Sequence, residues 1–386
     1  MHYDNRMNRW VAVVATAVAA SLFVVLLLAG ERRDIGTAVV QPQAHRPNII
    51  LVVADDLDVA LFDTLTGMPS VPDGRSFQLM FDTTPLCCPS KTSILRGQYS
   101  HSHGVLRNNP PDGGLARALE LGLESSTVAT WLDQAGYETG FVGRYLLGYG
   151  RRDTDASYIP PGWDHWAARI SSIAEGYEDG EFSIDGKPTR LSGNVDTAAL
   201  ELARGMIADA GDRPYFVMIA TQAPHWPWPV RNDPTTRGQT MPPVEDLVEQ
   251  LLSEVGPDTY VIFTSDNGFH TEPTAGKSLP YDTDTIVPLV VWGPDVQPGV
   301  DDDHIVANID LAPTFADWAG VTPPAFVEGS SMVPLTQGKS PAWRDQIQLE
   351  LVGTWQAIRT KTLLTIDWAG GRHEVIPVSD VPPAGG

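Results

Sequence analysis

The residues best suited to chemistry stand side by side in one short segment, Leu86–Gly97, which holds both cysteines of the chain. Proline is favoured at the first position of a helix and glycine often ends one, so the segment predicts a helix that starts at Pro89 and stops before Gly97. Cys87 would then lie at a helix N-terminus, where the helix dipole favours negative charge. Such a position lowers the pKa of a thiol and predicts a reactive cysteine.

Two adjacent cysteines cannot form a disulfide framework, and a bond between neighbours would be strained. They can instead be two small buried apolar side chains. The residues that follow favour a chemical role for Cys87. Cys-x-Pro-Ser, then a basic residue and a short helix closed by glycine, resembles the signature of the type I sulfatases. The resemblance implies that a formylglycine-generating enzyme converts Cys87 to formylglycine, whose hydrate attacks sulfur; Lys91 stands where the signature has arginine.

The composition limits the classes of partner. The chain has 386 residues, with 48 acidic and 26 basic side chains and a net charge of −22. This length suffices for one large domain or two unequal ones. A protein without a basic excess has little with which to neutralise phosphates, so nucleic acid is excluded as a partner.

An apolar stretch from Trp10 to Gly30 is long enough to cross a bilayer as a helix. We therefore predict a signal anchor or a signal peptide over residues 1–30 and a tether over 31–45. A catalytic domain over 46–340 and an abbreviated C-terminal subdomain over 341–386 follow. Because the sulfatases that the chain resembles are often exported, we expect a membrane-anchored protein with an extracytoplasmic catalytic domain, or a secreted one if the segment is cleaved.

Buried strands alternate with helical patterns along residues 46–340. Continuous apolar runs predict strands at Asn48–Ala54, Thr139–Val142, Tyr215–Ala220, Thr259–Thr264 and Leu289–Trp292. Helical periodicity covers Thr127–Ala135, Val195–Ala210 and Val244–Val255. The alternation predicts an α/β fold, a mostly parallel central sheet flanked by helices, as in the alkaline-phosphatase and sulfatase folds. Short alternating runs after residue 343 predict a small antiparallel C-terminal sheet.

Ligands bind beyond the carboxyl ends of the strands in such folds. These ends carry Asp55 and Asp56 after one strand, and Asp266 and Asn267 after another. Their hard oxygen atoms suit Ca²⁺ or Mg²⁺, although carboxylates there can also be solvated or cap the backbone. The resemblance implies calcium, bound by these four residues and by the formylglycine derived from Cys87.

Four further residues would supply positive charge around a sulfate group: Lys91, Arg144, His225 and Lys277. The resemblance identifies His225, in Ala-Pro-His-x-Pro, with the sulfate-contacting histidine of the family, and Lys277 with the lysine upstream of the Val-Pro-Leu strand. Arg144 stands where related sulfatases have lysine. His101 and His103 have the spacing of metal ligands, but the matching family segment packs behind the nucleophile helix, so we interpret them as structural.

The leading hypothesis is a sulfatase that hydrolyses a sulfate monoester, on a small molecule or on a sugar or glycosaminoglycan. Two segments, 143–150 and 159–166, are most similar to the N-acetylglucosamine-6-sulfatase branch, which like this chain lacks a histidine at the position of Leu146. Two alternatives stay open. One is a phosphoester or phosphonate hydrolase on the same fold. The other is a degenerate sulfatase that binds a sulfated ligand without turnover, which Lys91 and the short segment Trp226–Glu245 favour.

Overall fold

Strands and helices alternate in the computed structural model, which describes residues 36–41, 46–65, 74–170 and 176–380. The strands are β1 Val39–Val40, β2 Asn48–Asp55, β3 Arg75–Phe77, β4 Met80–Phe81, β5 Glu138–Gly143, β6 His165–Arg169, β7 Glu181–Ile184, β8 Lys187–Arg190, β9 Tyr215–Pro224, β10 Thr259–Ser265, β11 Leu289–Trp292, β12 Gly299–Asp301, β13 Val306–Ala307, β14 Val321–Thr322, β15 Gln346–Leu351, β16 Trp355–Thr360, β17 Leu363–Trp368 and β18 His373–Pro377. The α-helices are α1 Val59–Thr64, α2 Cys87–Arg96, α3 Ser100–His103, α4 Gly114–Glu120, α5 Val128–Gln134, α6 Val195–Ala210, α7 Pro242–Glu254, α8 Asp282–Thr285, α9 Leu311–Trp318 and α10 Val333–Thr336. Short 3₁₀ helices are formed by Leu123–Ser125, Pro234–Thr240, Asn308–Asp310 and Val378–Asp380.

The central sheet has ten strands in the order β12-β3-β11-β10-β2-β9-β5-β6-β7-β8. Its middle strands β10, β2, β9, β5 and β6 are parallel, while β11 joins β10 and β7 joins β6 in antiparallel register. Four of these parallel strands, β10, β2, β9 and β5, are predicted by the apolar runs and extend one to four residues beyond them. Strand β6 is not predicted, and the predicted run Leu289–Trp292 forms the antiparallel strand β11. The predicted α/β fold with a mostly parallel sheet is thus confirmed.

Both faces of β2 are buried, which is why its sequence is apolar without alternation. Its side chains at 49, 51 and 53 belong to one hydrophobic cluster, and those at 50, 52 and 54 belong to another. Helices α6 and α7 contribute Leu200 and Leu247 to the second cluster, whereas α5 and α9 contribute Trp131 and Phe315 to the first. Helices therefore cover the two faces of the sheet and leave its strand ends open.

The helix that carries the cysteines begins earlier than predicted. It starts at Cys87 rather than Pro89, so proline occupies the third helical position. The first four N–H groups of a helix have no intrahelical partner, so a proline there costs no hydrogen bond. The predicted end is correct, because Gly97 closes the helix in a left-handed conformation with φ 65°.

Strands β15–β18 form the predicted antiparallel C-terminal sheet. It packs on the larger unit through a cluster that joins Ile347 and Leu349 to Phe81 and Ile305. The predicted membrane segment 10–30 and most of the tether lie outside the described residues. Among the helices that the structure does describe, none combines the length and apolar composition that a bilayer crossing requires.

Candidate active site

The site is built on the carboxyl ends of β2 and β10. Asp55 ends β2, and Asp56 follows in the left-handed region with φ 71°, a conformation that costs a non-glycine residue about 1–3 kcal/mol. Two contacts hold this turn. The Asp56 N–H donates to Asp266 Oδ1 at 3.2 Å, and Arg237 Nη1 donates to the Asp56 carbonyl at 3.0 Å. The strained turn thereby aims two successive carboxylates at the same space.

Arg144 reaches this space from the end of β5. Gly143 has φ 103°, and a Cβ at that position would lie 2.0 Å from the Ala220 carbonyl oxygen, so only glycine fits this turn. The Arg144 N–H donates to the same carbonyl at 2.8 Å. This anchor directs the guanidinium to Asp55, where Nη1 lies 3.1 Å from Oδ2.

Cys87 is the first residue of α2 and is buried. Its Sγ lies 2.8 Å from Lys277 Nζ and 3.6 Å from Asp55 Oδ1. No side chain of the preceding residues caps the helix; instead, Asn108 Oδ1 accepts the Cys88 N–H at 2.8 Å. The expected low thiol pKa is wrong, because burial and the nearby Asp55 carboxylate raise the pKa of Cys87 well above its usual value. A bare thiolate is therefore disfavoured as the nucleophile.

Lys91 lies one helical turn after Cys87 and bridges two carboxylates. Its Nζ is 2.8 Å from Asp55 Oδ2 and 2.9 Å from Asp266 Oδ2, and all three groups are buried. Burial alone would raise the pKa of Asp55, but Arg144 and Lys91 outweigh it and hold the pKa well below its usual range. Burial would lower the pKa of Lys91, and the two carboxylates reverse this and raise it. Lys91 is therefore a permanent cation inside the site.

Lys277 contacts the other side of the same cluster. Its ammonium group donates to Asp56 Oδ1 and lies 3.4 Å from Asn267 Oδ1, while Asn267 Nδ2 donates to Asp56 Oδ1 at 2.6 Å. The pKa of Asp56 is lowered, because Lys277 and His225 outweigh the effect of burial. Burial and the neighbouring Asp55 instead raise the pKa of Asp266 to about 6. The cluster thus holds one carboxylate, Asp266, whose charged form is disfavoured by its buried surroundings.

His225 approaches from the end of β9. Its Nε2 lies 3.7 Å from Asp56 Oδ2 and 3.9 Å from Asp55 Oδ1. Its Nδ1 is 2.7 Å from the Trp226 carbonyl oxygen, which can only accept, so Nδ1 carries a proton and Nε2 faces the site. Burial lowers the pKa of His225, which favours the neutral ring.

The strand end that carries His225 is held by a buried carboxylate. Asp196, at the start of α6, accepts the N–H groups of Gln222 at 2.7 Å and Ala223 at 3.1 Å. Burial raises the pKa of Asp196 to about 6 despite these bonds. The Asp196 carboxylate of α6 thereby holds the backbone of Gln222 and Ala223 in place, just before His225.

The structure brings together every site residue that the sequence predicts. Within the described residues, the ligand atoms of four side chains lie within 4.8 Å of one another: Asp55, Asp56, Cys87 and His225. Asp266 and Asn267 join this group through the contacts above. The oxygen atoms of Asp56 and Asn267 already converge on one cation, the Lys277 ammonium, and such hard oxygen donors suit a divalent ion. The residues present therefore fit a calcium site.

Three supporting residues escaped the sequence analysis: Asn108, Asp196 and Arg237. Each acts on the backbone of a residue far away in sequence, and no local motif marks such a contact. Arg237 belongs to the short segment Trp226–Glu245, where it also pairs with Asp58 and lies over the ring of Phe269. Arg237 therefore stabilises the site, although the segment that carries it is short.

The two histidines interpreted as structural lie behind the nucleophile helix. His103 Nε2 is 3.1 Å from Ser93 Oγ in α2. His101 Nδ1 is 2.8 Å from the buried carboxylate of Glu350 in the C-terminal sheet, which also accepts the hydroxyl of Ser100. Neither histidine reaches the carboxylate cluster through these contacts.

Comparisons with known proteins identify the family of this chain. Residues 47–321 match the family profile described as Sulfatase. Human N-acetylglucosamine-6-sulfatase is 30% identical over 390 residues, which cover 82% of this chain and 69% of that protein. The extracellular sulfatase SULF-1 homolog of Drosophila melanogaster is 31% identical over 370 residues, which cover 78% of this chain and 32% of that protein. The chain thus spans about a third of the fly relative and about two thirds of the human one.

Among solved structures, BT4656 in complex with its substrate D-glucosamine-2-N,6-O-disulfate is similar with a TM-score of 0.71 and 20% identity. The match covers 86% of this chain and 90% of that one. At this identity the likeness supports the fold. The profile, in contrast, matches most of the chain and contains the strand ends, the nucleophile helix and every residue of the carboxylate cluster. The chain therefore belongs to the sulfatase family.

Proposed function

We propose that this protein hydrolyses a sulfate monoester carried by a carbohydrate, with Cys87, converted to formylglycine, as the nucleophile. One observation carries the proposal: the position of the Cys87 side chain between a cation and a carboxylate, at 2.8 Å from Lys277 Nζ and 3.6 Å from Asp55 Oδ1. A nucleophile at this place has positive charge beside it, where the oxygen atoms of a sulfate group would lie.

The formal charges around this position cancel. Three carboxylates (Asp55, Asp56 and Asp266) face three cations (Lys91, Arg144 and Lys277). A divalent cation and an anionic ester can enter together without leaving a large uncompensated charge. This balance supports a site that takes a metal ion and an anion as a pair.

Formylglycine would supply a hydrated aldehyde whose hydroxyl group attacks sulfur. The chain's own residues would orient the ester and compensate its charge. Lys277 and Arg144 would contact the sulfate oxygens, because their charged groups border the Cys87 and Asp55 side chains. Lys91 would act differently from the sequence-based expectation: buried between Asp55 and Asp266, it would position the two carboxylates.

His225 would handle a proton at the departing alcohol. Its Nδ1–H is held by the Trp226 carbonyl, so Nε2 alone faces the site. A ring whose pKa burial has lowered gives up a proton more readily than an ordinary histidine. When protonated at Nε2, His225 can donate to the leaving oxygen.

Calcium would be held by Asp55, Asp56, Asp266, Asn267 and the modified Cys87. When bound, the ion would polarise the sulfate group and favour the ionised form of the nucleophile. Asp56 and Asn267 would contribute the oxygens that contact Lys277 in this structure. We also propose that the catalytic domain lies outside the cytoplasm, either anchored by residues 10–30 or secreted.

The proposal predicts which ester is cleaved. Protein co-produced with a formylglycine-generating enzyme should release sulfate from glucosamine 6-sulfate with a kcat/KM at least about tenfold above that for phosphate release from glucosamine 6-phosphate. Ion chromatography of the released anions measures both. Faster phosphate release would favour the phosphohydrolase alternative. Saturable binding of the sulfate ester without release of sulfate, by fully modified protein, would favour the degenerate binding protein.

Metal removal should lower the stability of the folded state. Calcium added to chelator-treated protein at about 100 times its Kd should stabilise folding by about 2.7 kcal/mol, because it binds the carboxylates only when they are assembled. Thermal unfolding with and without calcium measures the shift in Tm. In Asp266→Asn the shift should be strongly reduced, while Asp212→Asn, an exposed control, should keep it. An equal shift in both variants would place the ion elsewhere.

A further inference from the structure

A cavity of about 350 Å³ lies beside the cluster that contains Cys87. Its wall is formed by the segment that follows β5, from Arg144 to Arg152, together with Arg169 and Ile170 at the end of β6 and Gln222 in β9. Arg144 belongs to both places, because its Nη1 also contacts Asp55. A ligand in the cavity would therefore be adjacent to a group bound at Cys87.

Guanidinium groups are concentrated around this cavity. The chain carries a net charge of −22 and only 26 basic side chains, yet four arginines line this one wall. None of its described lining residues is acidic. Arg144 and Arg169 are buried at 8% and 7% exposure, whereas Arg151 and Arg152 are exposed. The guanidinium groups thus extend from the interior to the opening.

Several of these groups are already fixed in place. Arg152 pairs with Asp153 at 2.9 Å, and Arg169 Nη2 donates to the Gly176 carbonyl at 2.6 Å. Arg151 donates to the Ile170 carbonyl. Guanidinium groups held by such contacts lose less conformational entropy when they bind a ligand, and their planar fork matches the oxygens of sulfate or carboxylate.

Two buried polar atoms on the wall retain hydrogen-bonding capacity. Arg144 Nη1, although 3.1 Å from Asp55 Oδ2, makes no well-aligned hydrogen bond within the described residues. Gln222 is 1% exposed, and its Oε1 accepts no hydrogen bond from that part of the chain. A buried donor and a buried acceptor of this kind are costly unless a ligand satisfies them. An anionic oxygen would suit the first and a sugar hydroxyl the second.

We infer that this cavity binds a second anionic group, a sulfate or a carboxylate, of the same carbohydrate whose sulfate ester lies at Cys87. The inference rests on the proposed function and narrows its substrate class to carbohydrates with at least two anionic groups. Arg144 lies between the two anions, Arg169 contacts the second from the interior, and Arg151 and Arg152 close over it from the opening.

The test compares three probes on the full chain with Cys87→Ala, which prevents turnover. Isothermal titration calorimetry measures the Kd of glucosamine 6-sulfate, of glucosamine-2-N,6-O-disulfate, and of a disaccharide that joins glucosamine 6-sulfate to a uronic acid. The disulfate, the uronic acid derivative or both should bind at least about tenfold more tightly than the monosulfate, since hydrogen bonds between charged groups are stronger than neutral ones. The second and third probes tell a sulfate from a carboxylate.

Variants test whether residues of the cavity cause this difference in affinity. Arg151→Ala with Arg152→Ala changes only exposed side chains and should remove most of the tenfold advantage while leaving the monosulfate Kd within about twofold. Arg190→Ala, in which a side chain of 68% exposure outside the cavity is lost, should leave every Kd unchanged. If the monosulfate binds but neither dianionic probe binds more tightly, or if the advantage survives in the double variant, the second site is refuted and the proposed function stands. If no probe binds, the proposed function fails and the second site fails with it.

Discussion

Cys87→Ala should reduce sulfate release by about 10³-fold or more, because the nucleophile is the one group that the remaining cations cannot replace. The folded state should survive, since the substitution removes a single buried sulfur atom. Sulfate release from glucosamine 6-sulfate and the thermal unfolding curve test the two halves of this expectation. In the unsubstituted protein, mass spectrometry of the peptide around Cys87 should show a lighter residue, in which an aldehyde oxygen has replaced sulfur.

Cys88→Ala is the matched control, because this thiol is buried in the same turn of α2. Its Sγ accepts the Leu147 N–H at 3.2 Å and contacts no residue of the carboxylate cluster through that bond. We expect turnover within a few-fold of the parent and an unchanged modification at position 87. Full activity in Cys87→Ala would refute the proposed nucleophile. Unmodified cysteine in an active preparation would refute the formylglycine step alone.

Lys91→Met should destabilise the folded protein by about 3–5 kcal/mol at neutral pH, since it leaves two buried carboxylates without their shared cation. Asp55 and Asp266 lose contacts of 2.8 and 2.9 Å. Urea unfolding in the presence of a chelator measures the free energy of unfolding without compensation by metal. Even with Lys91 present, the pKa of Asp266 is about 6, above that of an unfolded aspartate. The variant should raise it further, so the deficit should shrink as the pH falls from that raised value to about 6, where Asp266 takes up a proton in the variant before it does so in the parent.

Two controls separate charge from packing. Lys339→Met removes an exposed ammonium that donates to Gln337 Oε1 at 2.7 Å, and should change stability by less than about 0.5 kcal/mol. Lys91→Arg keeps the charge and installs the residue of the family signature, so it should be less destabilising than Lys91→Met. Equal stability of Lys91→Met and the parent at neutral pH would mean that the carboxylates need no fixed cation.

The central strands could be predicted because burial on both faces requires a continuous run of apolar residues in the sequence. Residues 49–54 and 260–263 are apolar without interruption, since each side chain packs under helices on one face or the other. The polar residues that follow them belong to the site for the same reason: the strand ends are the places where the helices leave the sheet open. No comparable sequence pattern indicates the order of the ten strands in the sheet.

The local sequence predicts the nucleophile helix only in part. Its motif identified Cys87 and the glycine that ends the helix, but the helix begins two residues early because Asn108, from another loop, caps it. The expectation of a reactive thiol took only the helix dipole into account. Burial and Asp55 act more strongly and in the opposite direction on the pKa of Cys87.

Short-range patterns along the chain were sufficient to establish the sheet type, the family, and the charged residues at the strand ends. The folded structure alone establishes how those charges are paired, because Asp55 meets Lys91 and Arg144 across separate elements. It also decided which distant residues hold the turn, as Arg237 does at Asp56. Motifs arise from neighbours along the chain, whereas electrostatic energies depend on distances in space, and only the folded chain sets those distances.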